Sequence, residues 1–375
     1  MTLHVAEVSP ATHWIFVVLQ QRDGRIGSGE ASLNGRETAV RDAAARLAAT
    51  ALSAPPDQPG AFAAGIAPAG LAEAAAVSAI DQALWDLHAQ HSGVRVADAI
   101  GGARRESIAV YANINRRTRT RTPAGFAASA RDALAAGFTA LKVAPFDEVD
   151  PATCAAGRGC EAMQTGLARV AAVRDEAGQH VRLMVDCHWR FDEPTARTLI
   201  GAAATLGVYW VECPLPETAD NVDALVRLRG EANGRGVRLA GLELGIGVDA
   251  FLPWCKAGAY DVVMPDVKYV GGLMEMQRCA DVLAPFGVTL SPHNPTGPIC
   301  HAASLHASAA LNAFDMLELQ FDETPLFERL VGGRLPVRAD GHSALPSGAG
   351  LGVSLDAAEL AAHARAPAIT WHAAA

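Results

Sequence analysis

The sequence predicts an α/β protein in which a parallel eight-stranded barrel of the TIM type follows a smaller α+β domain. Three observations support this fold class. The first 35 residues have the alternation and turns of antiparallel strands, and two Ala-rich helical segments follow them. From Ile108 onward, short apolar strands alternate with helices about every 30 residues, which is typical of a parallel sheet with crossover helices. Such a sheet closes into a barrel whose chemistry lies in the loops after the strands.

The N-terminal domain is predicted to span residues 1–107 and to combine strands with two helices. Asp23-Gly24 lies between two apolar runs and predicts a hairpin turn, because glycine accepts the positive φ that such a turn needs. Val77, Ile80 and Leu84 recur at helical spacing and predict one buried face. The predicted elements are strands at 15–19 and 26–32, helices at 37–53 and 71–90, and a loop at 55–68.

The barrel is predicted to span residues 108–331. Gly137 and Gly178 are expected to end two of its helices as C-terminal caps. The turn-rich segment 332–375 is expected to pack back onto the N-terminal domain. The eight predicted strands are 108–112, 140–143, 182–185, 208–211, 238–240, 262–264, 288–290 and 316–319.

The composition limits the class of protein and its compartment. With 375 residues, 50% of them hydrophobic and 19% charged, the chain can bury a large core and fold as two domains. A net charge of −9 argues against a nucleic-acid partner. We find no apolar run long enough to span a membrane, and the N-terminus lacks the pattern of a signal peptide. Seven cysteines without a Cys-x-x-Cys motif predict reduced thiols in the cytoplasm.

Three carboxylates each follow a short apolar strand in the middle of the predicted barrel. They are Asp186, Glu212 and Glu243, with steps of 26 and 31 residues, about one strand and one helix each. At one edge of a parallel sheet these carboxylates converge, and they repel one another unless a cation lies among them. Hard oxygen ligands suit Mg²⁺. Taken singly, each carboxylate could instead cap a helix or pair with an arginine.

Three longer motifs accompany these carboxylates. Ser78-Ala-Ile-Asp-Gln-Ala-Leu-Trp-Asp-Leu lies near the end of the N-terminal domain. Pro265-Asp-Val-Lys-Tyr-Val-Gly-Gly and Ser291-Pro-His-Asn-Pro-Thr-Gly-Pro-Ile follow the sixth and seventh predicted strands. In this order, and over nearly the whole chain, they resemble the enolase superfamily in its mandelate racemase/muconate lactonizing enzyme-like branch. The resemblance implies a (β/α)₇β barrel with a capping domain, Mg²⁺ bound by the three carboxylates, and proton abstraction α to a substrate carboxylate.

The resemblance also implies a catalytic base. It places His293 and Asp266 at the ends of the seventh and sixth strands as a hydrogen-bonded dyad, and a histidine oriented by a carboxylate is a natural base near neutral pH. Lys268, two residues after Asp266, is the rival base if burial lowers its pKa. In the lysine-based branch of the superfamily the sixth-strand lysine falls one place later, so the register of this match is imperfect.

His188 follows Asp186 by two residues and is expected to face the metal from an extended segment, because side chains at i and i+2 of such a segment point the same way. An Asp-x-His motif at this place is similar to the sugar-acid dehydratases of the superfamily, in which the histidine protonates the departing hydroxyl. The alternative role for His188 is a hydrogen-bond donor that supports the metal ligands.

The chain departs from the family at the second strand. Relatives often carry Lys-x-Lys there, whereas this chain has Lys142-Val-Ala144, which disfavours two-base racemisation. Lys142 is then left to hold the substrate carboxylate, to reach the α-carbon, or to form a structural ion pair. Glu318 matches an eighth-strand acid that, when protonated, hydrogen-bonds the substrate carboxylate. Loop residues that could bind substrate or set specificity are Asn113, Asn115, Arg116, His13, Trp14 and Asn34.

The function these residues favour is a Mg²⁺-dependent lyase that acts on a small-molecule carboxylate. Its substrate would be an acid sugar or a hydroxy-amino acid such as cis-3-hydroxyproline, from which a β-hydroxyl is eliminated. A racemase or epimerase that works by 1,1-proton transfer is the first alternative, and a catalytically silent metal-binding scaffold is the second. The resemblance further implies a homo-oligomer, and we expect neither a nucleic-acid nor a membrane partner.

Overall fold

The structure is a computed structural model that describes residues 1–333 and 335–373, and it contains two sheets. The first sheet is antiparallel, and its N-terminal strands are β1 (Thr2–Ser9), β2 (Thr12–Gln20) and β3 (Ile26–Glu30). The predicted hairpin between β2 and β3 is confirmed: Gln21 N donates to Arg25 O at 2.9 Å, and Gly24 has a φ of +89°.

Four helices follow β3, and the longest packs closely on it. They are α1 (Glu37–Leu52), α2 (Gly60–Ala64), α3 (Leu71–Ser92) and α4 (Val96–Ala99). The backbones of β3 and α3 lie so close together that only glycine fits at position 29. A Cβ on Gly29 would lie 1.8 Å from Ala79 O. The prediction of a continuous loop at 55–68 is wrong, since α2 interrupts it. Pro59 has helical φ and ψ at the start of α2, and the helix buries the side chain of Phe62.

The second sheet is the barrel, and its eight predicted strands are confirmed. They are β4 (Ser107–Asn113), β5 (Ala140–Val143), β6 (Arg182–Asp186), β7 (Val208–Glu212), β8 (Arg238–Gly241), β9 (Val262–Val263), β10 (Thr289–Leu290) and β11 (Leu317–Gln320). Neighbours pair in parallel from β4 to β10, and β11 pairs with β4. An isolated parallel bridge between Leu290 and Phe314 closes the ring.

Each of these strands is followed by one or two helices on the outside of the barrel. They are α5 (Pro123–Ala135), α6 (Pro151–Ala155), α7 (Gly159–Ala177), α8 (Glu193–Thr205), α9 (Val222–Asn233), α10 (Val248–Ala257), α11 (Leu273–Leu283), α12 (Pro298–Ala310) and α13 (Leu326–Leu330). Side chains of Thr122, Asp150 and Asp192 accept backbone N–H bonds at the starts of α5, α6 and α8. Over the described parts of the chain, we find no helix with both the length and the apolar character needed to cross a bilayer.

The C-terminal segment contacts both sheets. Its elements are β12 (His342–Ala344), α14 (Ala357–Ala362) and β13 (Ile369–Thr370). β12 pairs antiparallel with β4 of the barrel, whereas β13 pairs antiparallel with β1 of the N-terminal sheet. The C-terminal segment therefore connects β4 of the barrel to β1 of the N-terminal sheet.

Aromatic side chains fill the barrel directly under the carboxyl ends of its strands. Tyr111 and Trp210 are fully buried and meet edge to face with ring centroids 5.6 Å apart. Each lies two residues before a polar residue at the end of its strand, Asn113 on β4 and Glu212 on β7. Because alternate side chains of a strand share a face, these polar residues form the layer above the aromatic one.

Buried His306 on α12 makes the stability of the fold depend on pH. Its Nδ1 accepts from Ala97 N and its Nε2 donates to Leu351 O at 3.1 Å, so the ring is neutral, and burial lowers its pKa to about 4. Between that value and the ordinary pKa of about 6.5, only the unfolded state binds the proton. The contribution to the free energy of unfolding is therefore present above pH 6.5 and is lost as the pH falls toward 4.

We expect His306→Gln to remove about 3 kcal/mol of the pH dependence of the unfolding free energy between pH 6.5 and 4. Urea unfolding of both proteins across this range measures the difference. His180→Gln, which changes an exposed histidine, is the control. An unchanged pH profile in His306→Gln would contradict this origin of the acid sensitivity.

Candidate active site

Three carboxylates meet at the carboxyl ends of β6, β7 and β8. Asp186 and Glu212 are the last residues of adjacent strands and pair in register, and Glu243 follows β8 after Leu242, which has a φ of +71°. One oxygen from each carboxylate lies within 4.8 Å of the others, and all three side chains are buried. This convergence brings together the residues that the sequence predicted as metal ligands.

The electrostatics of this cluster fit a bound cation. Burial raises the pKa of Glu212 to about 8, although Lys142 Nζ lies 2.6 Å from its Oε1 and opposes the shift. Burial also raises the pKa of Glu243. For Asp186 burial acts in the same direction, but His188 and Lys142 outweigh it and lower the pKa to about 2. The cluster is thus a set of acceptor oxygens with incompletely balanced charge, which is the donor set of a hard divalent metal.

A histidine–aspartate dyad lies beside these carboxylates. His293, in the loop after β10, places its Nδ1 2.7 Å from Asp266 Oδ2, and its Nε2 lies 3.5 Å from Glu243 Oε2. Asp266 therefore accepts the Nδ1–H and leaves Nε2 directed toward the carboxylate cluster. Burial acts to lower the pKa of His293, but Glu243 and Asp266 raise it overall.

Lys268 contacts the same dyad and is held there in its protonated form. Its Nζ lies 2.6 Å from Asp266 Oδ2, the oxygen that also accepts from His293. Burial acts to lower the pKa of Lys268, but Asp266 raises it above the ordinary value. The sequence left Lys268 open as a base if burial lowered its pKa. The ion pair produces the opposite shift, so the geometry favours His293.

His188 reaches the site by a different path from the one expected. The expectation of an extended segment is wrong, because β6 ends at Asp186 and both His188 and Trp189 have left-handed φ values of +47° and +58°. This turn brings His188 Nε2 to 2.9 Å from Asp186 Oδ2, while its backbone N–H donates to Asp186 Oδ1. The charge of Asp186 raises the pKa of His188, which favours a protonated ring that can donate.

The expectation of a protonated Glu318 is wrong. Its Oε1 accepts from Lys142 Nζ at 2.9 Å and from Asn113 Nδ2 at 2.7 Å, and its Oε2 accepts from Asn294 N at 3.1 Å. Burial acts to raise the pKa of Glu318, but Lys142 and His293 lower it overall. Lys142 has a raised pKa through Glu212 and Glu318, which outweigh its burial, so it is a cation between two carboxylates rather than a base.

A cavity of about 330 Å³ lies over these groups and is lined by both the N-terminal domain and the barrel. Of the predicted loop residues, His13 points elsewhere: it pairs with Glu37 at 2.8 Å on the other face of β2. Gln320, which was not predicted, lies two residues after Glu318 on the same strand face, and this spacing could have identified it. Predicted residues on the cavity wall are Trp14, Asn34, Asn113, Asn115, Arg116, Lys142, Asp186, His188, Glu243, Lys268 and His293.

Comparison with known families covers both parts of the chain. Residues 3–101 match the model of the mandelate racemase / muconate lactonizing enzyme N-terminal domain, and residues 125–359 match the enolase C-terminal domain-like model. The first match covers β2, β3 and nearly all of β1, and the second covers β5 to β12.

Two curated relatives and one solved structure illustrate the similarity. The D-gluconate dehydratase of Thermoproteus tenax is 31% identical over 288 residues, which are 76% of this chain but only 55% of that protein. The D-galactarolactone cycloisomerase of Agrobacterium fabrum is 31% identical over 75% of this chain and 71% of that protein. The mandelate racemase/muconate lactonizing enzyme structure from Sulfitobacter sp. has a TM-score of 0.82 at 25% identity and covers 98% of this chain and 95% of that chain.

Proposed function

Because this chain belongs to the mandelate racemase/muconate lactonizing enzyme family, we propose that it is a Mg²⁺-dependent hydro-lyase that dehydrates an acid sugar. The observation that carries this proposal is the pair of histidines that line the cavity. His293 is directed toward the carboxylate cluster by Asp266, and His188 lies against Asp186 with its pKa raised. Because Asp266 holds the Nδ1–H of His293, the Nε2 of that ring is the atom that can accept a proton, and His188 beside Asp186 is placed to donate one.

The metal fits the residues that would hold it. Asp186, Glu212 and Glu243 offer converging acceptor oxygens, so they would be its ligands. When bound, Mg²⁺ would supply Lewis-acid stabilisation of the negative charge that develops on the substrate carboxylate. The pKa of Glu212 near 8 supports this assignment, because a carboxylate cluster without a cation retains a proton near neutral pH.

The protein residues then carry the protons. His293 Nε2 takes the proton from the carbon α to the substrate carboxylate, and Asp266 stabilises the imidazolium through Nδ1–H. The electron pair of the broken C–H bond first moves into the substrate carboxylate, which gives an enediolate. That electron pair then forms the new double bond to the β-carbon as the C–O bond there breaks. His188 gives its proton to that oxygen, and water leaves. The resulting enol tautomerises to a 2-keto acid, and Lys142 stays protonated between Glu212 and Glu318.

An isomerase acting on a related acid is the second candidate, because a relative at 31% identity is named a cycloisomerase. Two-base racemisation has less support in this site. Residue 144 is an alanine, and both Lys142 and Lys268 are held in ion pairs that raise their pKa values. A second proton-transferring base on the opposite face from His293 would have to be found elsewhere.

We expect His188→Asn to separate proton abstraction from water loss. Without the general acid, release of 2-keto acid should fall about 10²- to 10⁴-fold, whereas His293 still exchanges the substrate α-proton. Incubation in D₂O with a panel of aldonic and aldaric acids and hydroxyprolines measures both rates, the first as keto acid or imine and the second as deuterium incorporation.

Thr198→Val, on the outer helix α8, is the matched control and should leave both rates unchanged. If wild-type protein incorporates deuterium but releases no keto acid with any substrate of the panel, the isomerase candidate replaces the dehydratase. If it does neither while binding Mg²⁺, the protein is a metal-binding scaffold.

We also propose that the enzyme works in the cytoplasm as a homo-oligomer. All seven cysteines are free thiols, which suits a reducing compartment. Light scattering on the purified protein tests the oligomer, and a monomer at micromolar concentration would contradict it.

A further inference from the structure

The consecutive barrel helices α11 and α12 both begin without an N-cap side chain of their own. The N-cap of α11 is Gly272 and that of α12 is Gly297, and neither can provide a side-chain acceptor. The first N–H groups of a helix need acceptors, which a Ser, Thr, Asp or Asn at the N-cap usually supplies. In both helices the acceptor comes instead from the N-terminal domain.

Glu30, the last residue of β3, supplies the acceptor for α12. Its Oε1 accepts from Gly297 N at 2.7 Å and from Thr296 Oγ1 at 2.6 Å, and its Oε2 accepts from Cys300 N at 2.9 Å. Cys300 is the third residue of the helix, whose N–H an N-cap side chain would normally bind. The Glu30 side chain is fully buried, so the capping carboxylate is shielded from water.

Asp81, on α3, does the same for α11. Its Oδ2 accepts from Leu273 N at 2.7 Å, and the neighbouring Ser78 Oγ accepts from Gly271 N at 3.2 Å. Asp81 is also buried. Two carboxylates from one domain therefore close the N-termini of two consecutive helices of the other.

Glycine is required at both N-caps by this arrangement. A Cβ on Gly272 would lie 2.8 Å from Asp81 Oδ2, and a Cβ on Gly297 would lie 2.8 Å from Glu30 Oε1. The missing N-cap side chain and the carboxylate from the other domain are thus parts of one structural feature. A residue that capped either helix by itself would displace the carboxylate.

These helices directly follow the two loops that carry the dyad. Gly297 lies four residues after His293, and Leu273 lies seven residues after Asp266. We propose that Glu30 and Asp81 are positioning residues, carboxylates of the N-terminal domain that hold the His293 loop and the Asp266 loop at hydrogen-bond distance. This inference rests on the proposed function of His293 as the base. It assigns to the N-terminal domain a role in aligning the base, in addition to lining the cavity.

The alignment of His293 with Asp266 tolerates only small displacements of the two loops. The bond between His293 Nδ1 and Asp266 Oδ2 joins two loops that the chain connects only through α11 and β10, so its 2.7 Å length depends on how both loops are anchored. Catalytic geometry tolerates displacements of roughly 0.5 Å. Anchoring both loops to one rigid helix–sheet unit restricts their relative motion, because α3 packs directly on β3.

The test uses Glu30→Gln and Asp81→Ala in the full-length protein. The readout is the low-field NMR signal of the His293 Nδ1 proton, assigned by its loss in His293→Asn and measured without substrate. In both variants we expect this proton to exchange with water at least about 10-fold faster. We expect kcat to fall about 10- to 100-fold while KM stays within about threefold.

Asp86→Asn is the matched control. Asp86 is an equally buried carboxylate on α3 that accepts from Ser28 N and Leu351 N, away from both dyad loops. This variant should lose thermal stability as the others do but keep the His293 signal and kcat.

The inference and the proposed function fail in different ways. Unchanged His293 exchange in Glu30→Gln and Asp81→Ala overturns the inference, whatever reaction the enzyme catalyses. Faster exchange in both variants supports it, even if no substrate of the panel is dehydrated by the wild-type protein.

Discussion

Asp186→Asn should lower turnover by at least about 10³-fold and weaken Mg²⁺ binding to the same extent. Several kcal/mol of charge stabilisation depend on the bound metal, and about 4 kcal/mol corresponds to three decades in rate. The substitution is conservative in shape. Asn can keep the bond from His188 N to the side-chain oxygen at position 186, which preserves the left-handed turn. The loss is therefore expected to come from the missing charge rather than from a changed fold.

Isothermal titration with Mg²⁺ and steady-state kinetics at saturating metal measure the two effects. Asp192→Asn is the matched control, because Asp192 lies in the same strand–helix unit but only caps α8, where Asn caps equally well. Metal affinity and turnover that both survive Asp186→Asn would remove the carboxylate cluster from the chemistry.

His293→Asn should lower kcat by about 10²- to 10⁴-fold and should abolish α-deuterium exchange together with dehydration. Both reactions begin with the same proton abstraction, so loss of the base stops them together. This pattern differs from that of His188→Asn, in which exchange persists. Mg²⁺ affinity should change little, because Asp186, Glu212 and Glu243 remain in place.

Lys268→Met supplies the comparison that decides between the two candidate bases. Lys268 is paired with Asp266, so its loss should disturb the orientation of His293 and reduce both rates partially. If deuterium exchange survives in His293→Asn and disappears in Lys268→Met, Lys268 is the base and the dyad is structural.

The site combines residues from both sheets, which explains why the N-terminal domain matters to the chemistry of the barrel. Trp14 and Asn34 close the cavity from above the carboxylates. Glu30 and Asp81 reach under that surface to the helices that follow the dyad loops. The proposed substrate contacts and the proposed alignment of the base thus both involve the N-terminal domain.

Much of the fold could be predicted from the sequence because each barrel strand is a short apolar run between helices. The strand at 140–143 agrees with the structure to the residue, and each of the others differs by one residue at one or both ends. The three strand-end carboxylates were visible for the same reason. Each carboxylate follows a short apolar run, and these runs recur at regular intervals. Parallel strands bring the residues at their carboxyl ends to the same edge of the sheet.

Protonation states could not be predicted, because they depend on burial and on contacts that only the folded chain defines. Glu318 was expected as a protonated acid, but Lys142, two strands away on β5, lies 2.9 Å from it and keeps it ionised. Lys268 was open as a base until its ion pair with Asp266 was defined, although only two residues separate them. Burial and charge act together on these groups, and a linear sequence shows neither.

The sequence by itself determined the order of strands, the identity of the three carboxylates and the presence of the two histidines, since all of these follow from local patterns. Tertiary structure decided how the groups face one another. His188 lies in a left-handed turn where an extended segment was expected. Glu30 accepts a hydrogen bond at the start of α12, more than 260 residues away in the chain. The physical reason is that hydrogen bonds and ion pairs of buried groups are set by packing between distant elements, whereas the elements themselves are set by neighbours in sequence.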